Sequence, residues 1–504
     1  PPMRLTHLIL VTLTLGACAT VPDDIGPLPE EIAADPAPSG ILASIAETIA
    51  RTEGDDRSGF HLLDKNADAL SWRLALIDSA ESSLDLLYYL WYSDDSGRLL
   101  IERVYRAADR GVRVRLLVDD LLLMGDDKGL VAIDRHPNIQ LRLFNPKRQR
   151  QAGMAADFVG RFEQMNSRMH DKLVVADNRA AILGGRNIGD YYFGLSHSYN
   201  FHDLDVIGFG PVAPQSSELF DNFWNSNWVV PASALPATVD AREIADRREK
   251  LFEKLRSSES LEQFQVEPQD WTAELENLVP NLHFGSSEII WDYIEDGNLV
   301  QSMPDSLGVI LRSAERDIDL INAYIIPGQG FIDGMKQLTE NGVRIRILTN
   351  SLASHDVPAV NSHYKQWRKP IIESGAELYE FRADPAIKTL VDTAPVVSGF
   401  SGLHTKSFVV DGHKVFIGSM NFDPRSVHIN TEMGIIIDSP GLGQELIRLA
   451  ERDMAPENAW QVTLDGQGKL VWVNSDETVT RQPARNAWQR FMDGFFRILP
   501  KEQF

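Results

Sequence analysis

Cysteine is almost absent from this sequence of 504 residues, which contains only Cys18. Neither an intrachain disulfide nor a cysteine-rich metal site can therefore form. Positive charge is also scarce, since 49 Lys and Arg residues stand against 72 Asp and Glu residues, a formal net charge of -23. Broad affinity for nucleic acid needs Lys and Arg to neutralise phosphates, so this balance argues against a nucleic-acid partner. Any anionic ligand must be held by a local basic pocket.

Long hydrophobic runs are missing as well. The apolar run over residues 8–15 is shorter than the roughly 20 residues that span a bilayer, and no later segment is apolar enough. A basic start, a short apolar stretch and small residues are typical of a secretory signal. Leu15-Gly16-Ala17-Cys18 further resembles a bacterial lipobox, in which the Cys thiol is lipidated.

The N-terminal pattern predicts a signal peptide over residues 1–17, lipidation of Cys18 and a Pro- and Asp-rich tether over 18–40. A free cysteine after a frayed helix is the alternative. The lipobox implies a periplasm-facing lipoprotein of the bacterial cell envelope, in contact with a membrane surface. Ala19 follows the cysteine where Asp would favour the inner membrane, so we expect the outer membrane.

The chain contains an internal repeat. Three segments recur in the same order at separations of 231 to 234 residues. They are Gly111–Leu117 with Gly342–Leu348, His170–Lys172 with His404–Lys406, and Gly184–Asn187 with Gly418–Asn421. The repeat predicts two homologous halves, 41–265 and 266–504. Because strands alternate with helices in each, we expect an α/β fold: two α/β/α halves with mixed sheets, helices on both faces, and one active site shared about a pseudo-twofold axis.

The repeated His-x-Lys triplets carry the candidate chemistry. Both lie in strand-like sequence, where residues two apart share a face, so His170 projects with Lys172 and His404 with Lys406. An ammonium group can bind a phosphodiester while one imidazole attacks phosphorus and the other protonates the leaving oxygen. Lysine supplies the charge, so this chemistry needs neither a metal nor another cofactor.

Further polar residues follow each triplet. Asp177 and Asp411 lie seven residues after their histidines, on the opposite face, so we expect them to fix a turn or an outer hydrogen-bond network. Asn187 and Asn421 follow small residues that let a ligand approach the backbone, and we expect their amides to bind phosphate. A carboxylate should orient each histidine; the candidates are Glu432 and Asp205, with Asp203 as a rival.

These residues resemble the phospholipase D superfamily, whose signature is HxKxxxxD twice, each followed by G(G/S)xN. Strings such as Gly184–Tyr191 and Ile417–Ser426 are similar to bacterial cardiolipin synthases of the C type. The resemblance implies that His170 forms a phosphohistidine and His404 acts as the acid, with Lys172, Lys406, Asp177 and Asp411 in the catalytic motifs. It implies glycerophospholipid substrates, with phosphatidylglycerol and phosphatidylethanolamine as candidates. His355 and His363 stand where we expect other residues, which would alter headgroup fit.

The resemblance and the lipobox together imply a membrane-tethered phosphatidyltransferase of the cardiolipin synthase type. Three alternatives stay open: a hydrolytic phospholipase D that releases phosphatidic acid, a superfamily nuclease or phosphodiesterase, and an inactive lipoprotein scaffold. A basic loop containing Lys147, Arg148, Arg150, Arg161 and Arg168 suits an anionic headgroup, or is simply solvated. The C-terminal apolar stripe of Trp488, Phe491, Phe495, Phe496, Ile498 and Leu499 is predicted to pack in the core rather than contact a membrane.

Overall fold

The structure, a computed structural model, describes residues 20, 21, 26–123, 126–147, 150 and 166–496. The predicted signal peptide, Cys18, Arg148 and Arg161 lie outside the described residues. Among the helices of the described part, none is both long and apolar enough to cross a membrane.

Within the described residues, the first half contains nine strands and seven helices. The strands are β1 Ser58–Leu63, β2 Ser83–Tyr88, β3 Arg113–Asp119, β4 Ile139–Phe144, β5 Lys172–Ala176, β6 Ala180–Gly184, β7 Asn200–His202, β8 Asp205–Phe209 and β9 Val229–Pro231. The helices are α1 Ile41–Glu53, α2 Asn66–Ser79, α3 Asp95–Asp109, α4 Asp127–Asp134, α5 Val212–Trp224, α6 Ala241–Arg256 and α7 Thr272–Leu278.

The second half, as far as residue 496, contains thirteen strands and eight helices. The strands are β10 His283–Trp291, β11 Tyr293–Glu295, β12 Asn298–Val300, β13 Asp317–Asn322, β14 Arg344–Asn350, β15 Glu377–Phe381, β16 Ser401–Leu403, β17 Lys406–Val410, β18 Lys414–Gly418, β19 Met433–Asp438, β20 Ala459–Leu464, β21 Leu470–Val473 and β22 Thr478–Val479. The helices are α8 Met303–Arg312, α9 Gln329–Glu340, α10 Pro358–Tyr364, α11 Arg368–Glu373, α12 Lys388–Val391, α13 Pro424–His428, α14 Pro440–Met454 and α15 Ala487–Phe496.

Eighteen strands form one mixed sheet that runs through both halves. Its order is β9-β4-β3-β2-β5-β6-β8-β1-β10-β19-β18-β17-β13-β14-β15-β20-β21-β22. In each half three strands pair in parallel, β2-β3-β4 and β13-β14-β15. The strand that begins at each motif lysine pairs antiparallel to this group, β5 to β2 and β17 to β13. The halves meet where β1 pairs with β10, with Ser58 opposite Gly285. The repeat and the mixed sheet confirm the predicted fold class.

Helices cover both faces of the sheet, and one apolar core is shared by the halves. The helix that follows β8, α5, contributes the buried side chains of Phe220 and Trp224 to this core. Its counterpart after β19, α14, contributes Leu442 and Leu446. Because the same core also contains strand residues from both halves, such as Ile435, the halves are held together by buried apolar surface.

The aspartates of the two motifs fix turns. Asp177 has a positive φ of 55°, and its carboxylate accepts hydrogen bonds from the backbone N–H groups of Glu81, Ser82 and Ser83. Asp411 does the same, at φ 52°, for the N–H groups of residues 315–317. Each carboxylate thus joins the turn after the motif strand to the start of the neighbouring strand. This is the turn-fixing role expected from its position on the opposite face of the strand from the histidine.

Part of the predicted tether is bound to the first half. The N–H of Ala33 donates to Asp221, and that of Ala37 donates to the carbonyl of Asp177. Arg115 in turn donates to the carbonyl of Glu31. Residues 31–37 therefore depart from the prediction of a free tether over 18–40, because their backbone groups find partners on the domain surface.

The boundary between the halves also lies later than predicted. Trp271 donates from Nε1 to Asp78 at 2.9 Å, and Leu275, Leu278 and Leu282 belong to the apolar core of the first half. Packing therefore assigns residues 266–282 to the first half, although the predicted boundary fell at 265, and the second repeat begins with β10.

The C-terminal helix α15 contradicts the prediction of core packing. Trp488, Phe491 and Phe495 are 67%, 59% and 53% exposed. The opposite face holds the helix to the protein, where buried Asp493 accepts a hydrogen bond from Asn361 at 2.6 Å. Polar contacts rather than the apolar stripe therefore position this helix. The side chains of Phe496, Ile498 and Leu499 lie outside the described residues.

Replacement of Asp177 by Ala should cost stability rather than abolish chemistry. The change leaves three backbone N–H groups without their acceptor and forces Ala into the left-handed region, so we expect a loss of roughly 2–4 kcal/mol in the free energy of unfolding. Asp177→Asn, which keeps an acceptor and tolerates positive φ, should lose less. Urea denaturation measures both. Unchanged stability with abolished phosphodiester chemistry would show instead that Asp177 acts on substrate.

Candidate active site

Pairing between the halves brings the two motifs together. The short strands β7 and β16 run parallel across the junction, with His202 opposite Leu403. The N–H of His404 then donates to the carbonyl of His202 at 2.8 Å. On the other side the N–H of His170 donates to the carbonyl of Thr431 at 3.1 Å. Each motif histidine is therefore anchored by the backbone of the opposite half.

A buried carboxylate from the opposite half also holds each imidazole. Nδ1 of His170 lies 2.9 Å from Oε2 of Glu432, and Nδ1 of His404 lies 2.6 Å from Oδ2 of Asp203. Both carboxylates have no solvent exposure. A carboxylate at Nδ1 fixes the orientation of the ring and leaves Nε2 as the nitrogen for chemistry.

The prediction that Asp205 orients a histidine is wrong. Its Oδ2 accepts hydrogen bonds from Arg73 at 2.8 Å and Arg186 at 3.1 Å, a buried ion cluster that braces the first half. Strand register explains the difference. Asp205 lies opposite Gly184 exactly as Gly434 lies opposite Gly418, so the residue that corresponds to Glu432 is two positions earlier, Asp203.

The small residues after each motif make room for carboxylates rather than for a ligand. A Cβ atom on Gly185 would collide with the carboxylate of Asp203. The corresponding residue of the second half is Ser419, whose hydroxyl donates to Oε2 of Glu432. The G(G/S) element therefore leaves space for one carboxylate and donates a hydrogen bond to the other. The expectation that it lets a ligand approach the backbone is wrong.

The two motif lysines lie buried beside their histidines. Nζ of Lys172 donates to the carbonyl of His170 at 2.6 Å, and Nζ of Lys406 donates to the carbonyl of His404. Burial lowers the pKa of Lys172 to about 7 and that of Lys406 to about 8. Such buried ammonium groups gain more from an anionic ligand than exposed ones, since little water competes.

The two halves of the site differ electrostatically. Burial and the nearby Lys172, Lys406 and His404 lower the pKa of His170 well below its usual value, and burial raises that of Glu432 well above its own. For Asp203, burial is outweighed by His404, which lowers the carboxyl pKa. Burial thus favours the neutral form of the Glu432 carboxyl beside His170, whereas His404 favours the ionised form of the Asp203 carboxyl beside it.

The two asparagines are not equivalent. Asn187 is engaged within the fold: Oδ1 accepts from the N–H of Leu90 at 3.2 Å and Nδ2 donates to the Tyr192 hydroxyl at 3.0 Å. Asn421 is 6% exposed, and its Oδ1 has no hydrogen-bond partner in the described part of the chain. The oxygen of Asn421 can thus accept a further hydrogen bond, whereas Asn187 has a bracing role instead of the predicted phosphate contact.

Aromatic residues that sequence reasoning missed surround the imidazoles. The ring of Tyr89 meets His170 edge-on, with centroids 4.9 Å apart. Tyr192 and Phe201 lie 5.2 Å and 5.0 Å from His404. Tyr89 could have been found, because it directly follows β2, whose last residue, Tyr88, lies opposite Lys172. Tyr192 follows a turn, and no periodic signal marks it.

Two cations of the predicted basic loop, Arg150 and Arg168, form ion pairs within the fold. Arg150 forms ion pairs of 2.5 Å with Asp120 and Asp127, and Arg168 lies 3.3 Å from Asp119. These cations therefore serve the fold rather than a headgroup. Across the residues that the structure describes, no group of three or more His, Cys, Asp and Glu side chains is arranged to hold a metal ion.

Comparison with known proteins agrees with this architecture. Cardiolipin synthase C of Escherichia coli (strain K12) is 36% identical over 466 residues, which cover 88% of this chain and 95% of that protein. An uncharacterised protein of Helicobacter pylori is 30% identical over 483 residues, which cover 94% of each. The crystal structure of a phosphatidylserine synthase from Haemophilus influenzae Rd KW20 has the same fold, with a TM-score of 0.52, 14% identity and coverage of 82% of this chain and 89% of the other.

The repeat found in the sequence also coincides with a known domain. The family described as Cardiolipin synthase, PLD-like domain matches residues 74–224 and again residues 308–454, so each match contains one His-x-Lys triplet. The chain therefore belongs to this family of phospholipase D-like proteins.

Proposed function

We propose that this protein is a phosphatidyltransferase that moves the phosphatidyl group of a glycerophospholipid to an acceptor hydroxyl, as a cardiolipin synthase does. One observation carries the proposal: two motif imidazoles, each fixed at Nδ1 by a carboxylate of the opposite half, beside two buried lysines. The relatives named cardiolipin synthase and the fold shared with phosphatidylserine synthase support it.

The reaction has two displacements at one phosphorus atom. Nε2 of His170 attacks phosphorus, the bond to the headgroup oxygen breaks, and His404 gives its proton to the departing alcohol. An acceptor hydroxyl then gives its proton to His404 and attacks phosphorus, which releases His170. With phosphatidylglycerol as acceptor the product is cardiolipin, and with water it is phosphatidic acid.

The electrostatic contrast between the histidines supports these roles. A nucleophilic imidazole must be neutral, which the lowered pKa of His170 favours. An acid must be able to hold a proton until the leaving group needs it. Burial and Lys406 lower the pKa of His404 as well, but Asp203 opposes this effect and favours the proton on His404.

Lys172 and Lys406 are the groups proposed to bind the non-bridging phosphate oxygens, with Asn421 as a further contact. Their positive charge offsets the negative charge that builds on the phosphoryl oxygens, so we propose a reaction independent of added metal. The N-terminal lipobox supports a protein tethered to the bacterial envelope, where its phospholipid substrates reside. The acidic chain gives no support to a nuclease.

The function is tested with purified protein in mixed micelles containing phosphatidylglycerol, with or without phosphatidylethanolamine, in the presence of EDTA. We expect cardiolipin, identified by mass spectrometry, as the main product. Phosphatidic acid alone would identify a hydrolytic phospholipase D instead. The absence of both cardiolipin and phosphatidic acid would contradict phosphatidyl transfer.

The roles of the two histidines can be distinguished with a phospholipid that has a p-nitrophenyl headgroup, because this headgroup leaves without needing a proton. His170→Ala should release no p-nitrophenol, since the nucleophile is gone. His404→Ala should release one equivalent in a burst and then stall, because the second step lacks its base. With natural lipids each variant should lose about 10³-fold or more in kcat/KM. A burst from His170→Ala would reverse the assignment.

Asp203 and Asp205 provide a matched pair. Asp203→Asn should lower kcat roughly 10²- to 10⁴-fold with little change in stability, since the orienting negative charge is lost. Asp205→Asn leaves two buried guanidinium groups less compensated and should cost about 3–5 kcal/mol in the free energy of unfolding. Steady-state kinetics and urea denaturation on both variants measure this. Equal effects on activity would contradict the separate roles of the two residues.

The pH dependence follows from the shifted lysines. The pKa of Lys172 is lowered to about 7 and that of Lys406 to about 8, so phosphate binding should weaken as pH rises through this range. The pKa of His170 lies well below its usual value, so the decrease of kcat/KM on the acid side of the pH profile should begin only at low pH. We expect kcat/KM to fall on the alkaline side while kcat falls less, because bound phosphate retains the lysine protons. A flat kcat/KM through this range would contradict phosphate binding by the lysines.

A further inference from the structure

A continuous row of aromatic rings leads outward from His404. Phe201 lies 5.0 Å from the imidazole, and Tyr199 lies 5.2 Å from Phe201. Phe400 stacks on Tyr199 at 5.0 Å, and the guanidinium carbon of Arg485 lies 3.5 Å from the centre of the Phe400 ring. The row joins the acid histidine to a cation.

Arg485 is positioned but not neutralised. Its Nη2 donates to the carbonyl of His355 at 3.3 Å, and its backbone N–H donates to Gln489 at 3.0 Å. In the part of the chain that the structure describes, its guanidinium forms no salt bridge; burial lowers the pKa of Arg485, and the charge of Asp356 opposes that effect. Arg485 lies in the segment that follows the second family match, which ends at residue 454.

A carboxylate, that of Asp356, is linked to the imidazole through Tyr324. Oδ1 of Asp356 accepts a hydrogen bond from the hydroxyl of Tyr324 at 2.7 Å, and the Tyr324 ring meets His404 edge-on at 6.4 Å. The Asp356 side chain keeps 17% exposure and lies 3.7 Å from Nδ1 of His355, the residue whose carbonyl accepts from Arg485. Asp356 therefore adjoins both ends of the row.

These groups match one class of ligand. A carboxylate accepts a hydrogen bond from a hydroxyl group, a guanidinium binds a phosphate through two parallel hydrogen bonds, and aromatic faces pack on carbon. Water offers neither carbon nor phosphate, and free glycerol offers no phosphate. A phospholipid whose headgroup ends in a hydroxyl, such as phosphatidylglycerol, offers all three.

We propose that the row from His404 to Arg485 is the subsite for the acceptor phospholipid, with Asp356 on the attacking headgroup's hydroxyls and Arg485 on the acceptor's own phosphate. The inference rests on the proposed function and adds how the acceptor is chosen. A net charge of -23 repels an anionic lipid, so a local cation is needed to admit a second phosphate to the site. Arg485 thereby favours a lipid acceptor over water and small alcohols.

The test compares acceptors at a fixed donor. The full chain is given isotope-labelled phosphatidylethanolamine in mixed micelles with increasing phosphatidylglycerol or with increasing glycerol, and labelled cardiolipin, phosphatidylglycerol and phosphatidic acid are measured by mass spectrometry. Arg485→Gln should raise the apparent KM for phosphatidylglycerol about tenfold or more, because a charge-assisted contact is lost. Formation of phosphatidic acid and transfer to glycerol should change less than about twofold.

The matched control is Arg481→Gln, which removes the same charge from an exposed residue of the same segment. It should leave all three products unchanged. Arg485→Lys should restore part of the affinity, since lysine keeps the charge without the planar fork. An equal loss of all three products in Arg485→Gln, or no loss of cardiolipin, would overturn the subsite.

A second variant tests the hydroxyl contact. Asp356→Asn should reduce transfer to both phosphatidylglycerol and glycerol relative to phosphatidic acid, because water does not use this carboxylate. An unchanged ratio would overturn the role of Asp356. If the wild-type protein makes no labelled product, both the proposed function and the subsite are contradicted. If the wild-type protein is active and Arg485→Gln makes the same products at the same rates, only the subsite is contradicted.

Discussion

The exchange of carboxylates between the halves is the constraint on which the site depends. Glu432 reaches His170 and Asp203 reaches His404, each across the junction and each without solvent exposure. Neither half alone contains a histidine with its orienting partner. The pairing of β7 with β16, the shared apolar core and the continuous sheet through β1 and β10 all serve to keep these two contacts in place.

Buried carboxyl groups only two residues apart in the chain, those of Asp203 and Asp205, have different roles. Asp205 is enclosed by Arg73 and Arg186 and is fully compensated, so it stabilises the fold. Under the proposed mechanism, Asp203 and Glu432 instead lie beside imidazoles whose protonation changes during the reaction. The separation of a stabilising carboxylate from a functional one is therefore set by strand register, since a shift of two residues along one strand exchanges the roles.

Much of the site could be predicted from the sequence, because it is local or repeated. The spacing of His170 and Lys172 places both on one face of a strand, and the repeat reveals the second motif and the mixed α/β halves. What sequence could not give was long-range pairing. The choice between Asp203 and Asp205 depends on which residue lies opposite Gly184, and the cluster of Arg485, Asp356 and His404 joins residues far apart along the chain. Exposure of Trp488 likewise depends on which face of α15 the rest of the protein covers.

The difference between an Asp on one side and a Glu with a Ser hydroxyl on the other has a consequence for the origin of such a chain. Two identical subunits joined about an exact twofold axis would be forced to present two identical histidines. Covalent fusion of the repeats lifts that restriction, because each copy can then mutate by itself. In the proposed mechanism, the broken symmetry allows one imidazole to specialise as nucleophile and the other as proton carrier. A symmetric dimer could reach this difference in role only transiently.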